Sequence, residues 1–191
     1  NTDDHTSYVV GTQLLSDGRT LSWAKDATLR IWGGERVGVL AGHSAGIEGG
    51  QELPGGRLLS WAADYDLRIW DLQTQACLFT LSGHTKNIKG VHLLSEEKLL
   101  SWSSDCTLRI WDLDTGAQSA VLEGHTKLVK GAMVFPGGRI LSWASDATLR
   151  LWGADGAPLV TFSGHADKKI IEGAALLPDE RILSWASDAT L

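Results

Sequence analysis

The nine letters LSWASDATL occupy residues 141–149 and again residues 183–191. They belong to a wider period. Every Trp in the chain falls into one of two columns. The first is Trp23, Trp61, Trp102, Trp143 and Trp185; the second is Trp32, Trp70, Trp111 and Trp152, each nine residues after its partner. Successive intervals in the first column are 38, 41, 41 and 42 residues. A period of this length marks a repeat architecture, in which each unit buries its apolar surface against its neighbours.

Other columns keep step. His5, His43, His84 and His125 each precede a first-column Trp by 18 residues, and His165 precedes Trp185 by 20. The last unit therefore carries a two-residue insertion near ADKKII. Asp26, Asp64, Asp105, Asp146 and Asp188 each follow a first-column Trp by three. Turn signals (SDGR, PGGR, SEEK, PGGR and PDER) recur between the columns. In the unit that starts at residue 125, LVKGAMVF, GRILSWAS, TLRLWG and APLVTFS read as four strands, rich in β-branched and aromatic residues and punctuated by Gly, Pro and Asp. No stretch of the chain holds a convincing helical period. Four short strands in about 41 residues fit a propeller blade better than an α-solenoid.

On these residues the chain resembles the WD-repeat β-propeller family along essentially its whole length. The resemblance rests on the Gly-His pairs at 42–43, 83–84, 124–125 and 164–165, and on the endings LRIW, LRIWD, LRIWD and LRLWG. Only Trp70-Asp71 and Trp111-Asp112 supply the literal Trp-Asp pair. The expected fold is all-β: antiparallel four-stranded blades, four complete and part of a fifth. The units run over about residues 5–42, 43–83, 84–124, 125–164 and a partial 165–191. Two departures mark the chain as a distinct, recently amplified subfamily. Family members commonly place small residues where this chain has its first Trp column, and the first-strand glycines Gly11, Gly49, Gly90, Gly131 and Gly173 are atypical.

The resemblance also implies a role for the recurring polar residues. His, Ser and Asp are hydrolase residues, yet a catalytic triad needs one copy in one cleft, and here the set recurs in every unit. Family members use such residues as a buried hydrogen-bond relay. Indole N–H only donates, carboxylate only accepts, and hydroxyl and imidazole do both. The expected relays are Trp32, Ser22, His5 and Asp26; Trp70, Ser60, His43 and Asp64; Trp111, Ser101, His84 and Asp105; and Trp152, Ser142, His125 and Asp146. A fifth has His165, Ser184 and Asp188 without a Trp. The first-column Trp are expected as apolar filler between stacked blades; the alternative is a ring of aromatic platforms for sugars or cations.

Composition narrows the function. Net charge is −6, which opposes general binding to nucleic acid or anionic membranes. Cys77 and Cys106 are the only cysteines, too few for a disulfide framework. No CxxC, HExxH or glycine-rich phosphate loop is present. No catalytic residue, metal or cofactor is expected, and a reducing, cytoplasmic setting is the simplest reading of cysteine usage.

Basic residues vary between units more than the relay does. The second position after His reads Ser7, Ala45, Lys86, Lys127 and Asp167; the position before the first-strand Gly reads Val10, Glu48, Lys89, Lys130 and Glu172. Lys86, Lys89, Lys127 and Lys130 thus occupy equivalent places on two adjacent blades, as solvated lysines or as a docking patch for an acidic segment. The leading expectation is a non-catalytic protein-recognition scaffold, the sensor or assembly module of a larger multidomain protein. The alternatives are a lectin using the Trp column and a self-assembling structural fragment. The letters DATL at the end open a third strand of the fifth unit, so the residues are expected to belong to a longer chain or to an oligomer.

Overall fold

The computed structural model describes residues 4–34, 37–164, 170–177 and 181–187. Every described regular element is a β-strand. The chain divides into two compact units, Asn1–Asn87 and Ile88–Leu191.

The first unit holds two antiparallel four-stranded sheets. One is β1 (Val9–Leu14), β2 (Thr20–Ala24), β3 (Thr28–Trp32) and β4 (Gly38–Ala41), and the other is β5 (Ile47–Leu53), β6 (Arg57–Ala62), β7 (Leu67–Asp71) and β8 (Cys77–Leu81). Strand order follows chain order in both. The middle strands are buried on both sides, so β6 reads RLLSWA and β7 LRIWD with little polar alternation. Leu21, Leu29, Ile31 and Leu40 of the first sheet form one core with Ile47, Leu58, Ala62 and Trp70 of the second.

The second unit holds β9 (Ile88–Ser95), β10 (Lys98–Ser103), β11 (Leu108–Asp112) and β12 (Gln118–Leu122), followed by β13 (Val129–Val134), β14 (Ile140–Ala144), β15 (Thr148–Trp152) and β16 (Pro158–Ser163). Each quartet is a sheet. A two-stranded sheet of β17 (Ile171–Leu176) and β18 (Ile182–Ala186) follows. Leu100, Leu108, Ile110 and Leu122 pack on Val129, Ile140 and Trp152 of the next sheet. The insertion near ADKKII and the letters DATL at 188–191 lie largely outside the described residues.

The glycine column and the first Trp column are one device. Gly11 pairs with Trp23 across β1 and β2, and the same pairing joins Gly49 to Trp61, Gly90 to Trp102, Gly131 to Trp143 and Gly173 to Trp185. A Cβ on Gly11 would lie 2.5 Å from Trp23 Cζ2, and at the other four glycines it would come closer still to the paired indole. The ring lies flat over the first strand, and only a residue with no side chain leaves room for it. On its far side Trp23 meets the next sheet, where a Cβ on Gly50 would sit 3.0 Å from Trp23 Cε3. Ala132 and Ala174 hold the corresponding place beside Trp102 and Trp143.

The first strand also carries a β-bulge in every blade. The register slips between Val9 and Gly11, Ile47 and Gly49, Val129 and Gly131, and Ile171 and Gly173, and at the equivalent place between Ile88 and Gly90. The skipped residues are Val10, Glu48, Lys89, Lys130 and Glu172. A bulged residue is left out of the ladder, so this position can vary while its neighbours cannot.

The Gly–Trp fit predicts a coupling. Gly131→Ala should destabilise the chain by about 1–3 kcal/mol through overpacking. In a Trp143→Leu background the same change should cost at least about 0.5 kcal/mol less, as expected of residues in direct contact. Urea unfolding of the two single variants and the double variant measures the difference; strict additivity would exclude the fit.

Candidate functional site: buried relays and an exposed bulge column

Each relay joins the second strand, the third strand and the turn before the first strand. The Trp indole N–H donates to the Ser hydroxyl from Trp32 to Ser22 (2.7 Å), Trp70 to Ser60 (2.8 Å), Trp111 to Ser101 (2.9 Å) and Trp152 to Ser142 (2.9 Å). The same hydroxyl lies 2.8 Å from Nε2 of His5, His43 and His125 in its own blade. On the other side of the ring, Nδ1 lies 2.9 Å from Asp26, 2.9 Å from Asp64 and 3.0 Å from Asp146. One proton assignment serves every group. Nδ1–H donates to the carboxylate, Nε2 accepts from Ser, and Ser accepts from Trp. The imidazoles of His43 and His125 have no exposed side-chain surface.

In the third blade the structure gives the Trp111–Ser101 bond and places the Thr107 hydroxyl 2.7 Å from Asp105 Oδ1. His84, buried, belongs with the first unit. In the fifth, Ser184 lies in β18, while His165 and Asp188 lie outside the described residues.

Two members of this network escaped the sequence reading. Backbone N–H groups of Thr6, Ser44 and Thr126, just after the relay His, donate to Asp26, Asp64 and Asp146. The hydroxyls of Thr28 and Thr148 also donate to their Asp at 2.7 Å. Their signal was the recurrent Asp-x-Thr at 26–28, 105–107 and 146–148; the second blade has Asp66 instead. The other omission is a column of arginines, Arg30, Arg68, Arg109 and Arg150, in register with the relay serines. A basic residue inside each apolar LRIW run was its signal. The Gly of the Gly-His pair makes room for this side chain. A Cβ on Gly42 would lie 3.1 Å from Arg68 Nη1, and one on Gly124 would lie 2.5 Å from Arg150 Nη1.

The electrostatics follow. Burial pushes His43 and His125 below the ordinary imidazole value, Arg68 and Arg150 act in the same direction, and the paired Asp64 and Asp146 oppose them. Burial works to raise the carboxylates, but it loses to the hydrogen bonds they accept. Asp64 and Asp146 lie below the usual carboxylate range, and Asp26 is brought down to about 2 by Thr28, Thr6 and His5. In the second and fourth blades the relay is therefore a neutral His on a charged Asp at pH 7, with the indole N–H, the Ser hydroxyl and both ring nitrogens all engaged.

The literal Trp-Asp carboxylates serve a different purpose. Asp71 Oδ1 accepts from the N–H of Gln73 and from the N–H and hydroxyl of Thr74; Asp112 does the same for Asp114 and Thr115. Each holds the turn between third and fourth strands. In the other two blades Gly33 or Gly153 stands at that place.

The two Trp columns differ in kind. Trp70, Trp111 and Trp152 are buried with their N–H groups bonded. Trp23 and Trp102 are partly buried, and their indole N–H groups are enclosed without a partner. The first column is used for its ring area, packed between sheets within each unit. Trp185 of β18 is 40% exposed.

The lysines lie at the surface. Lys86 is in the first unit, and Lys89, Lys127 and Lys130 are in the second. Lys89 and Lys130 are bulge residues. Lys130 Nζ lies 3.3 Å from Glu172 of the next bulge, so part of its charge is offset. In the first unit Lys25 reaches the bulge residue Glu48 at 2.6 Å. Among the described residues no group of three His, Cys, Asp or Glu could hold a metal ion.

With this geometry in hand, the comparisons are specific about fold. The family model described as WD domain, G-beta repeat matches residues 75–112. The whole chain superposes on the WD40 beta propeller domain of Doa1 with a TM-score of 0.69 at 22% sequence identity, covering 97% of this chain and 63% of that one. The fold is a WD-repeat β-propeller. Its described blades are four complete sheets and part of a fifth. The chain spans 63% of the length of the propeller structure it matches. No curated protein sequence matches it significantly. Solved chains matching this fold number 1362, so the fold alone selects no partner.

Two predictions concern the relay. Asp64→Ala removes the acceptor of the buried His43 Nδ1–H and of the Ser44 N–H, and should cost about 1–3 kcal/mol. Thermal unfolding reads this directly, and an unchanged midpoint would remove the relay from the list of stabilising networks. The second concerns pH. His43, His125, Asp26, Asp64 and Asp146 all bind protons less tightly folded than unfolded, so their contribution is complete above their unfolded values and lost as pH falls. The unfolding midpoint should be level above about pH 7, begin to fall below about 6.5 as the unfolded histidines take up protons, and fall further between about 4 and 2 as the carboxylates do.

Proposed function

We propose that this chain is a non-catalytic recognition scaffold whose partner surface lies at the bulge column and at the loop after each Gly-His pair. One observation carries the reading. The residues that recur in every blade are spent internally, on the relay and on the Gly–Trp fit, whereas the bulge residue lies outside the ladder, is exposed at Lys89, Lys130 and Glu172, and differs in sign from blade to blade. Binding on a rigid repeat scaffold belongs where equivalent positions differ. Lys89, Lys127 and Lys130, with Lys86 from the same repeat as Lys89, favour an acidic protein or peptide segment. On a chain of net charge −6, such a cluster attracts an acidic partner locally while the rest of the surface repels it. Packing of Trp23, Trp102 and Trp143 between sheets supports this reading over a ring of sugar platforms.

The test is association rate against ionic strength, for the partner captured by the immobilised chain. Reversal of Lys86 and Lys127 to Glu should slow association about tenfold or more at low salt and flatten its salt dependence. Both side chains are exposed, so the unfolding midpoint should hold. An unchanged rate and salt slope would reduce these residues to a solvated face.

A further inference from the structure

The relay of the second blade also fastens a loop. Residues 42–46 join β4 to β5. His43 Nδ1–H donates to Asp64 at 2.9 Å, and His43 Nε2 accepts from Ser60 at 2.8 Å. The Ser44 N–H donates to Asp64 at 2.9 Å, and the Ala63 N–H donates to the Gly46 carbonyl at 3.0 Å. The first two bonds share one imidazole, which has no exposed side-chain surface. Ser44, next to it, is exposed. The loop therefore meets water on one side and the relay on the other.

This fastening accepts one arrangement of protons. Ser60 is buried, and its hydroxyl bonds to the Trp70 indole N–H and to His43 Nε2. The indole can only donate, so the Ser60 proton points to Nε2. A second proton on the ring takes that acceptor away. Two N–H groups then point at the Ser60 oxygen, and the hydroxyl proton has no acceptor inside the sheet. The charged groups around the ring divide. Burial and Arg68 oppose the imidazolium, Asp64 and Asp66 favour it, and the ring lies below its ordinary value. Lys25 of the preceding sheet lies over Gly46 and is paired with Glu48. In water the imidazole takes up its proton at about pH 6.5. As pH falls below that value the open loop binds a proton that the closed loop resists, so acid favours opening.

The second blade also fastens its loop less fully than the first and fourth. There Thr28 and Thr148 give the relay Asp a hydroxyl bond at 2.7 Å. Here Asp66 stands at that position and offers Asp64 its backbone N–H at 3.2 Å. Its carboxylate has no proton to donate at neutral pH.

We propose that residues 42–46 form an acid-released clasp: His43 takes up a proton from water, its bond with Ser60 breaks, and the loop opens while the strands of the blade stay paired. Histidine is the side chain whose charge changes in this pH range, and opening of one loop is a local event of lower free energy than unfolding. The clasp acts on one of the loops assigned above to recognition, but it operates without a partner, so either reading can fail without the other.

The test is amide hydrogen exchange of the whole chain, with each rate corrected for its intrinsic pH dependence. Protection of the Ser44 and Ala63 amides should fall about tenfold between about pH 7.5 and 5.5, the change expected of a ring that takes up its proton only when the loop is open. About 1 M urea should leave their exchange unchanged and quicken that of Leu58 and Leu59 in β6, which separates loop opening from unfolding. His43→Gln, which cannot titrate in this range, should abolish the pH dependence. Asp66→Thr supplies the hydroxyl found in the first and fourth blades and should raise Ser44 protection about threefold or more at the higher pH, a readout that stands even where the His43 variant does not fold. Any one of four results overturns the proposal: Ser44 protection that ignores pH, Ser44 exchange as slow and as urea-dependent as that of Leu59, a pH dependence that persists in His43→Gln, or no gain in protection from Asp66→Thr.

Discussion

Each of the four complete blades is bracketed by a group that can only donate and a group that can only accept. The indole N–H of the third strand and the carboxylate of the turn after the second strand are both held away from water. Ser and His, which can do both, are what allow a hydrogen bond to pass between them. The chain Trp70–Ser60–His43–Asp64 ties the second strand to the third and draws in the loop that precedes the first. Without it the blade would enclose polar groups that water can no longer reach. The rest of the structure is arranged around this requirement. In the fourth blade Gly124 makes room for Arg150, burial and that Arg hold His125 below the ordinary imidazole value, and Thr148 completes the shell of Asp146.

A second constraint acts at the first strand of each sheet. An indole laid over the first strand requires a residue with no Cβ beneath it and a small one opposite. Gly11, Gly49, Gly90, Gly131 and Gly173 meet the first condition. Gly50, Ala132 and Ala174 meet the second within their units. The bulge next to each Gly then pushes one residue out of the ladder. Invariance and variability are thus adjacent in sequence and opposite in cause: Gly131 is held by Trp143, and Lys130 beside it meets the surface carboxylate of Glu172. Such an exposed ion pair contributes little to stability, which leaves the bulge residue available for a partner.

Much of this could be read from the letters. The Trp period sets the repeat, turn signals cut each repeat into four strands, and LVKGAMVF, GRILSWAS, TLRLWG and APLVTFS contain the strands β13 to β16 with only their ends trimmed. The resemblance implied the members of each relay, and donor and acceptor capacity, which belongs to a residue type, gave their order. The Asp-x-Thr recurrence and the Arg column were equally visible as patterns, but nothing in the letters says which atoms they meet.

Adjacency between neighbouring sheets could not be read, because sequence spacing does not encode it. The glycines looked atypical until a ring was seen to cover them. The ion pairs Lys25–Glu48 and Lys130–Glu172 across blade boundaries are likewise invisible in the spacing of the column. The sequence by itself determined the local matters: the repeat, the four-stranded blade and the polar residues each blade must satisfy. All three follow from side-chain chemistry and short-range periodicity. Only the tertiary structure decided which column fills space and which bulges outward, because those depend on surfaces brought together from repeats about 40 residues apart.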